Sequence, residues 1–75
     1  MSLKQVRKQR ELSQSQLARL SGVNIRTIQG YEQETKDINK AQFVTLLRLS
    51  IALSCNIESI VTDSNLIELV RKYSY

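Results

Sequence analysis

Arg26, Gln29 and Gln33 carry planar, multidentate hydrogen-bonding groups at spacings of three and four residues. Side chains so spaced share one side of a helix. A guanidinium presents paired donors, and a carboxamide presents one donor edge and one acceptor edge. Such groups read base edges: Arg bonds O6 and N7 of guanine, and Gln bonds N6 and N7 of adenine. Stepping about 100° per residue from Ile25, Ile28 and Tyr31 fall on one side. Arg26, Gln29, Gly30 and Gln33 cluster on the other, with Ile25 at the edge. Arg and Gln are also soluble helix formers, and their spacing alone does not choose between the two roles.

Other chemistry is poorly supplied. The chain has no His and one Cys, so a four-ligand zinc site, a Cys–His pair and a Ser–His–Asp triad are all excluded. Its two glycines, Gly22 and Gly30, cannot build a phosphate-binding loop. Glu32 and Glu34 are the nearest approach to a carboxylate pair, but residues two apart on a helix face different ways. The residues point to a binding domain that needs no cofactor and is not an enzyme. Cys55 has no intrachain partner, which suits a reducing compartment and an apolar packing role. No apolar stretch nears the roughly 18 residues of a membrane span, so the expectation is a cytoplasmic protein.

The 75 residues allow one small domain with a net charge of +4. The charge is unevenly placed. Residues 1–40 hold eight cations and four anions, whereas residues 41–75 hold three of each. The surplus in one half suggests a polyanionic partner.

The elements that must position the reading residues follow from a helical period throughout. A first helix runs from Leu3 to about Glu11, with Leu3, Val6 and Arg7 on one face. Ser13 caps a second in which Leu17 and Leu20 face inward and Ala18 supplies a small contact. Gly22 ends it, because a left-handed turn residue is needed there. Asn24 caps a third helix, Ile25 to Gln33. Asn39, three residues before Gln42, resembles a capping box and opens the longest helix, about 40–54. Phe43, Val44, Leu46, Leu47, Leu49, Ile51, Ala52 and Leu53 make that helix apolar around most of its circumference, which places it centrally. Asn56 caps a short fifth helix bearing Ile57, Ile60 and Val61. A tail, residues 64–75, repeats Leu66, Leu69, Val70 and Tyr73 at helical spacing. It closes the domain's own core or makes a dimer contact.

Two short helices joined by Ser21–Asn24, with Ala18 at their crossing and Gly22 in the turn, make a steep crossing possible. LSQSQLARLSGV, TIQGYE and LLRLSIALSCNIESIV together resemble the helix-turn-helix domains of the lambda-repressor and Cro type, the xenobiotic-response-element family, over residues 3–61. The resemblance implies an all-α, five-helix domain over residues 1–63, here with an extra C-terminal helix. It implies a sequence-specific regulator, a small dimeric repressor, binding double-stranded DNA with the third helix in the major groove. Base contacts would come from Ile25, Arg26, Gln29, Gly30 and Gln33; Gly30, which has no side chain, either allows close approach or is a tolerated weak point. Gln14, Asn24, Thr27, Lys36 and Lys40 would hold the backbone. The resemblance also pairs Arg7 with Glu32 as an architectural ion pair. Partners are a second copy, or a foreign protein taken up by Leu66, Leu69, Val70 and Tyr73. The alternative function is an antitoxin or interaction module whose DNA binding is autoregulatory. Glu11 and Glu34 depart from the family pattern, standing where a small turn residue is common.

Overall fold

Each of the first two helices starts where a serine precedes a glutamine by three residues. Ser2 accepts from the Gln5 amide while the Gln5 side chain accepts from the Ser2 amide, and Ser13 and Gln16 repeat the arrangement. These reciprocal bonds satisfy two of the amides that a helix start leaves unpaired. In the computed structural model, which describes residues 1–73, five α-helices follow: α1 (Leu3–Gln9), α2 (Gln14–Ser21), α3 (Ile25–Glu32), α4 (Phe43–Leu53) and α5 (Ser64–Tyr73). Single 3-10 turns occupy Ile38–Lys40 and Ile57–Ser59, and there is no strand among the described residues. Ser74 and Tyr75, the end of the 64–75 tail, lie outside the described residues.

Left-handed residues end two of these elements. Gly22 at φ 73° closes α2, and Ser54 at φ 51° closes α4. Glu11 and Glu34 also sit in the left-handed region, at φ 58° and 62°. The turns after α1 and α3 therefore keep a shape that glycine adopts freely, at the expense of some backbone strain. That turn stops α1 at Gln9, short of the expected Glu11.

The core is built where α2, α3 and α4 meet. Leu17, Ile28, Leu49, Leu53, Ile60 and Val61 are fully buried, ringed by Leu3, Val6, Val23, Ile38, Leu46 and Ile57. Leu17 and Ser21, four apart, take the inward face of α2. Leu20, expected inward, is thereby rotated into solvent. Ser21 remains satisfied because its hydroxyl accepts from the Val23 amide at 3.1 Å, tightening the turn.

Three further expectations are corrected. Asn39 does not open the long helix; α4 begins at Phe43, with Gln42 as a cap residue that makes no side-chain bond. Asp37 caps the Ile38–Lys40 turn instead, and Ala41 and Gln42 are extended. Asn39 is committed elsewhere: its carbonyl accepts from the Thr62 and Asp63 amides at 2.8 and 2.9 Å, and its amide donates to Thr62 Oγ1 and Asp37 Oδ1. It thus joins the loop before α4 to the loop before α5. The short fifth helix is only a 3-10 turn, although Ile57, Ile60 and Val61 are all buried. Finally, α4 is not enclosed all round. Leu46, Leu49 and Leu53 are buried, whereas Phe43, Val44, Leu47 and Ile51 reach solvent.

The tail stripe divides in two. Leu66 and Val70, with Ile67, pack against the core, and Leu69 and Tyr73 point away from it.

Candidate nucleic-acid interface

Helix α3 is eight residues long, too short to hold its own shape in water. Its geometry therefore depends on what grips it. At the front, the Asn24 side chain accepts from the Arg26 amide at 2.8 Å. From beneath, Ile28 is fully buried and Tyr31 half-buried, and burial raises the Tyr31 hydroxyl above its ordinary pKa. Behind it the chain folds back, so that the Gly30 carbonyl accepts from the Thr35 and Lys36 amides at 3.0 and 3.1 Å.

The fourth grip is ionic. Arg7 donates through Nε to Glu32 Oε2 and through Nη2 to Glu32 Oε1, both at 2.8 Å. Its Nη1 donates to the Leu12 carbonyl, also at 2.8 Å. This planar fork fits a carboxylate in a way that a lysine could not match. The side chains are only 10% and 3% exposed. Burial alone would raise the Glu32 carboxyl, but hydrogen bonds from Arg7 and Gln14 and the charges of Arg7 and Lys4 hold it below its usual range. The Arg7 guanidinium is raised in turn, chiefly by its bond to Glu32.

Glu32 also links the ion pair to α2. Gln14 Nε2 donates to Glu32 Oε1 at 3.1 Å, and Gln14 Oε1 faces Gln29 Nε2 at 3.5 Å. Because Glu32 can only accept, it fixes the Gln14 amide with its nitrogen toward Glu32 and its oxygen toward Gln29. Gln14 joins α2 to α3 besides lying at the start of α2.

Arg26, Asn24 and Gln33 are exposed, and Ile25, Thr27 and Gln29 half-buried. Lys36 and Lys40 are exposed beyond α3. Gly30 is not where helical spacing placed it. It is buried, and a Cβ there would lie 2.9 Å from Lys36 Cδ and 3.0 Å from Lys36 Cγ. The turn through Glu34 returns the chain over the end of α3, which laying residues around an isolated helix does not foresee. Gly30 serves to admit the Lys36 stem, and the outward stripe is reduced to Arg26, Gln29 and Gln33 with Ile25 at its margin.

Two cations at this end of the molecule escape a sequence reading. Arg19 borders the depression beside Gly22 and Asn24, and Arg48 approaches within 3.6 Å of the Cβ position of Gly22. Arg19 sits in α2's last turn and carried the ordinary signal of a basic residue beside the turn. Arg48 comes from α4, and only tertiary packing brings it there.

A helix-turn-helix family model matches residues 3–60, most of the chain. The chain belongs to the lambda-repressor and Cro type of helix-turn-helix domains. In this helix-turn-helix domain α2 and α3 form the motif, and α1, α4 and the Ile57–Ser59 turn support it. It is a DNA-binding, regulatory fold, and its elements agree with the matched range. No match was found among curated proteins or among solved structures. No helix among the described residues is long and apolar enough to cross a membrane.

Proposed function

We propose that this helix-turn-helix domain is a sequence-specific transcriptional repressor that binds double-stranded DNA as a homodimer, with α3 in the major groove. The observation that carries this reading is the anchoring of α3 on three sides while Arg26 and Gln33 stay exposed. Arg26 takes guanine O6 and N7, and Gln29 takes adenine N6 and N7. One N–H of Gln29 faces Gln14, which leaves its second N–H and its carbonyl oxygen for the base. Ile25 offers an apolar contact to a thymine methyl, and Gln33 reaches the far end of the site. Gly30 contributes no contact. Gln14, Asn24, Thr27, Lys36 and Lys40 hold phosphates, which set register without specifying sequence. The basic half of the chain supplies the attraction, and the protein works in the cytoplasm.

Selection from a pool of random duplexes at two salt concentrations tests the reading. The expected result is a two-fold symmetric site with half-sites about 34 Å apart. Arg26→Ala should then weaken binding by roughly 1–3 kcal/mol and relax the preference for guanine at one position in each half-site. Binding that enriches no sequence and vanishes with salt would refute it.

A further inference from the structure

Position 30 of α3 is covered by a side chain from outside the helix. A Cβ at Gly30 would lie 2.9 Å from Lys36 Cδ, 3.0 Å from its Cγ and 3.4 Å from its Cβ. Most of the lysine stem is therefore laid across the place where side chain 30 would start. Backbone bonds keep it there. The Gly30 carbonyl accepts from the Lys36 amide at 3.1 Å, from the Thr35 amide at 3.0 Å and from Thr35 Oγ1 at 3.3 Å. Glu34, left-handed at φ 62°, makes the turn that returns this segment to α3. Lys36 nonetheless remains exposed, and no ion pair engages its ammonium among the described residues.

The side of α3 on which the stem lies gives it a use. By helical angle, position 30 stands about 40° beyond Arg26, on one flank of the outward stripe. Ile25 stands about 40° beyond Gln29, on the other flank. The stem thus supplies a second apolar margin, with the paired donors and acceptors of Arg26, Gln29 and Gln33 between the two. A lysine stem commonly lies along a surface while its ammonium goes on to a polar group. Here the ammonium stays available for a phosphate, and the methylenes face what α3 faces. Because the stem is held before any partner arrives, contact costs it little further freedom. The apolar group that base edges display in the major groove is the thymine C5 methyl.

We propose that Lys36 is a specificity-determining residue: its stem, seated over Gly30, packs against a thymine methyl while its ammonium holds a phosphate. This rests on the reading above that α3 enters the major groove, and adds to it a base contact from a residue outside the helix. Lys36 thereby does at this place what a side chain at position 30 would otherwise do.

Selection from random duplexes, and affinity measured against salt, test this on the wild type, Lys36→Ala and Lys36→Met, with thermal melting to show that each folds. Lys36→Ala should lose a thymine preference at one position of each half-site, and Lys36→Met, which keeps an apolar stem, should retain it. Both should lower the salt slope by about one per protomer. Deoxyuridine in place of that thymine removes only the methyl. It should weaken the wild type by about fourfold per half-site and leave Lys36→Ala unaffected. A Lys36→Ala protein with every wild-type base preference would make Lys36 a phosphate contact alone and overturn the proposal. So would a Lys36→Met protein that loses the preference too, since the ammonium would then be the reading group. A wild type indifferent to deoxyuridine at each thymine of its site would overturn it without any variant. A wild type that enriches no sequence would refute the DNA reading itself, and the proposal would fall with it.

Discussion

Replacing Glu32 by Ala perturbs the contact on which the placement of α3 depends most. The carboxylate accepts three hydrogen bonds, two from Arg7 and one from Gln14, while only 3% exposed. Truncation leaves the Arg7 guanidinium, itself 10% exposed, with the Leu12 carbonyl as its remaining partner. A guanidinium does not shed its proton at accessible pH. Removing one member of a buried pair costs about 3–5 kcal/mol, mostly through the charge left behind. A 75-residue chain at ordinary stability per residue has about 4–11 kcal/mol in total. Glu32→Ala should therefore lose about a quarter or more of it and lower Tm by more than about 10 °C.

The assay is urea unfolding followed by circular dichroism, run on Glu32→Ala, Arg7→Met and the Arg7→Met/Glu32→Leu double variant. The double variant removes both charges and fills the space, so it should be more stable than the sum of the single losses predicts, by about 2 kcal/mol or more. Arg7→Met should also be milder than Glu32→Ala, since an orphaned carboxylate can take up a proton. A Glu32→Ala loss below about 1 kcal/mol, in the range of an exposed pair, would refute the reasoning. So would single losses that simply add.

Two further outcomes follow from the contacts of Glu32 and Asn39. Glu32 is held below its unfolded pKa of about 4.3, so its contribution is complete above that value and disappears as pH falls through the lowered folded value. Stability measured against pH should accordingly drop below about pH 4 in the wild type, and less steeply in Glu32→Gln. Asn39→Ala removes four side-chain bonds, three of which join the loops before α4 and α5. Thermal melting should show a loss of about 1–3 kcal/mol, against less than about 0.5 kcal/mol for the neighbouring Lys40→Ala.

Local chemistry carried the helix starts in this sequence, and tertiary chemistry carried the rest. Ser13 and Asn24 are caps because a short polar side chain reaches amides two or three residues on, and no distant residue intervenes. Asn39 has the same chemistry and a Gln at the right spacing, yet Thr62 and Asp63 compete for its carbonyl from more than twenty residues away. Leu20 shows the same limit on a face: either Leu20 or Ser21 could follow Leu17 inward, and the turn's need for the Ser21 hydroxyl settles it. At the interface, the outward placement of Arg26 and Gln33 follows from helical angle alone. The burial of Gly30 does not, since Lys36 covers it only after a left-handed Glu34 turns the chain back. Glycine at position 30 looks like an absent contact in the sequence and is, in the fold, the space that a lysine stem occupies.

The outward surface of α3 thus owes its definition to residues that never face it. An isolated helix of eight residues would spend most of its time unwound, and its bare stripe of Arg and Gln would present no fixed pattern of donors. Asn24 fixes the first turn, Ile28 the rotation about the axis, and the returning chain at Thr35 and Lys36 the last turn. Arg7 adds the tether to α1, and because Glu32 only accepts, that tether sets the polarity of Gln14 and, through it, of Gln29. Interfaces that read bases through paired donors and acceptors depend on such polarity, since a flipped carboxamide presents the wrong edge. The ion pair therefore sits at the origin of both properties, the stability of α3 and the pattern it displays. A variant that restored stability without restoring an acceptor-only group at Glu32 would recover the first and not the second.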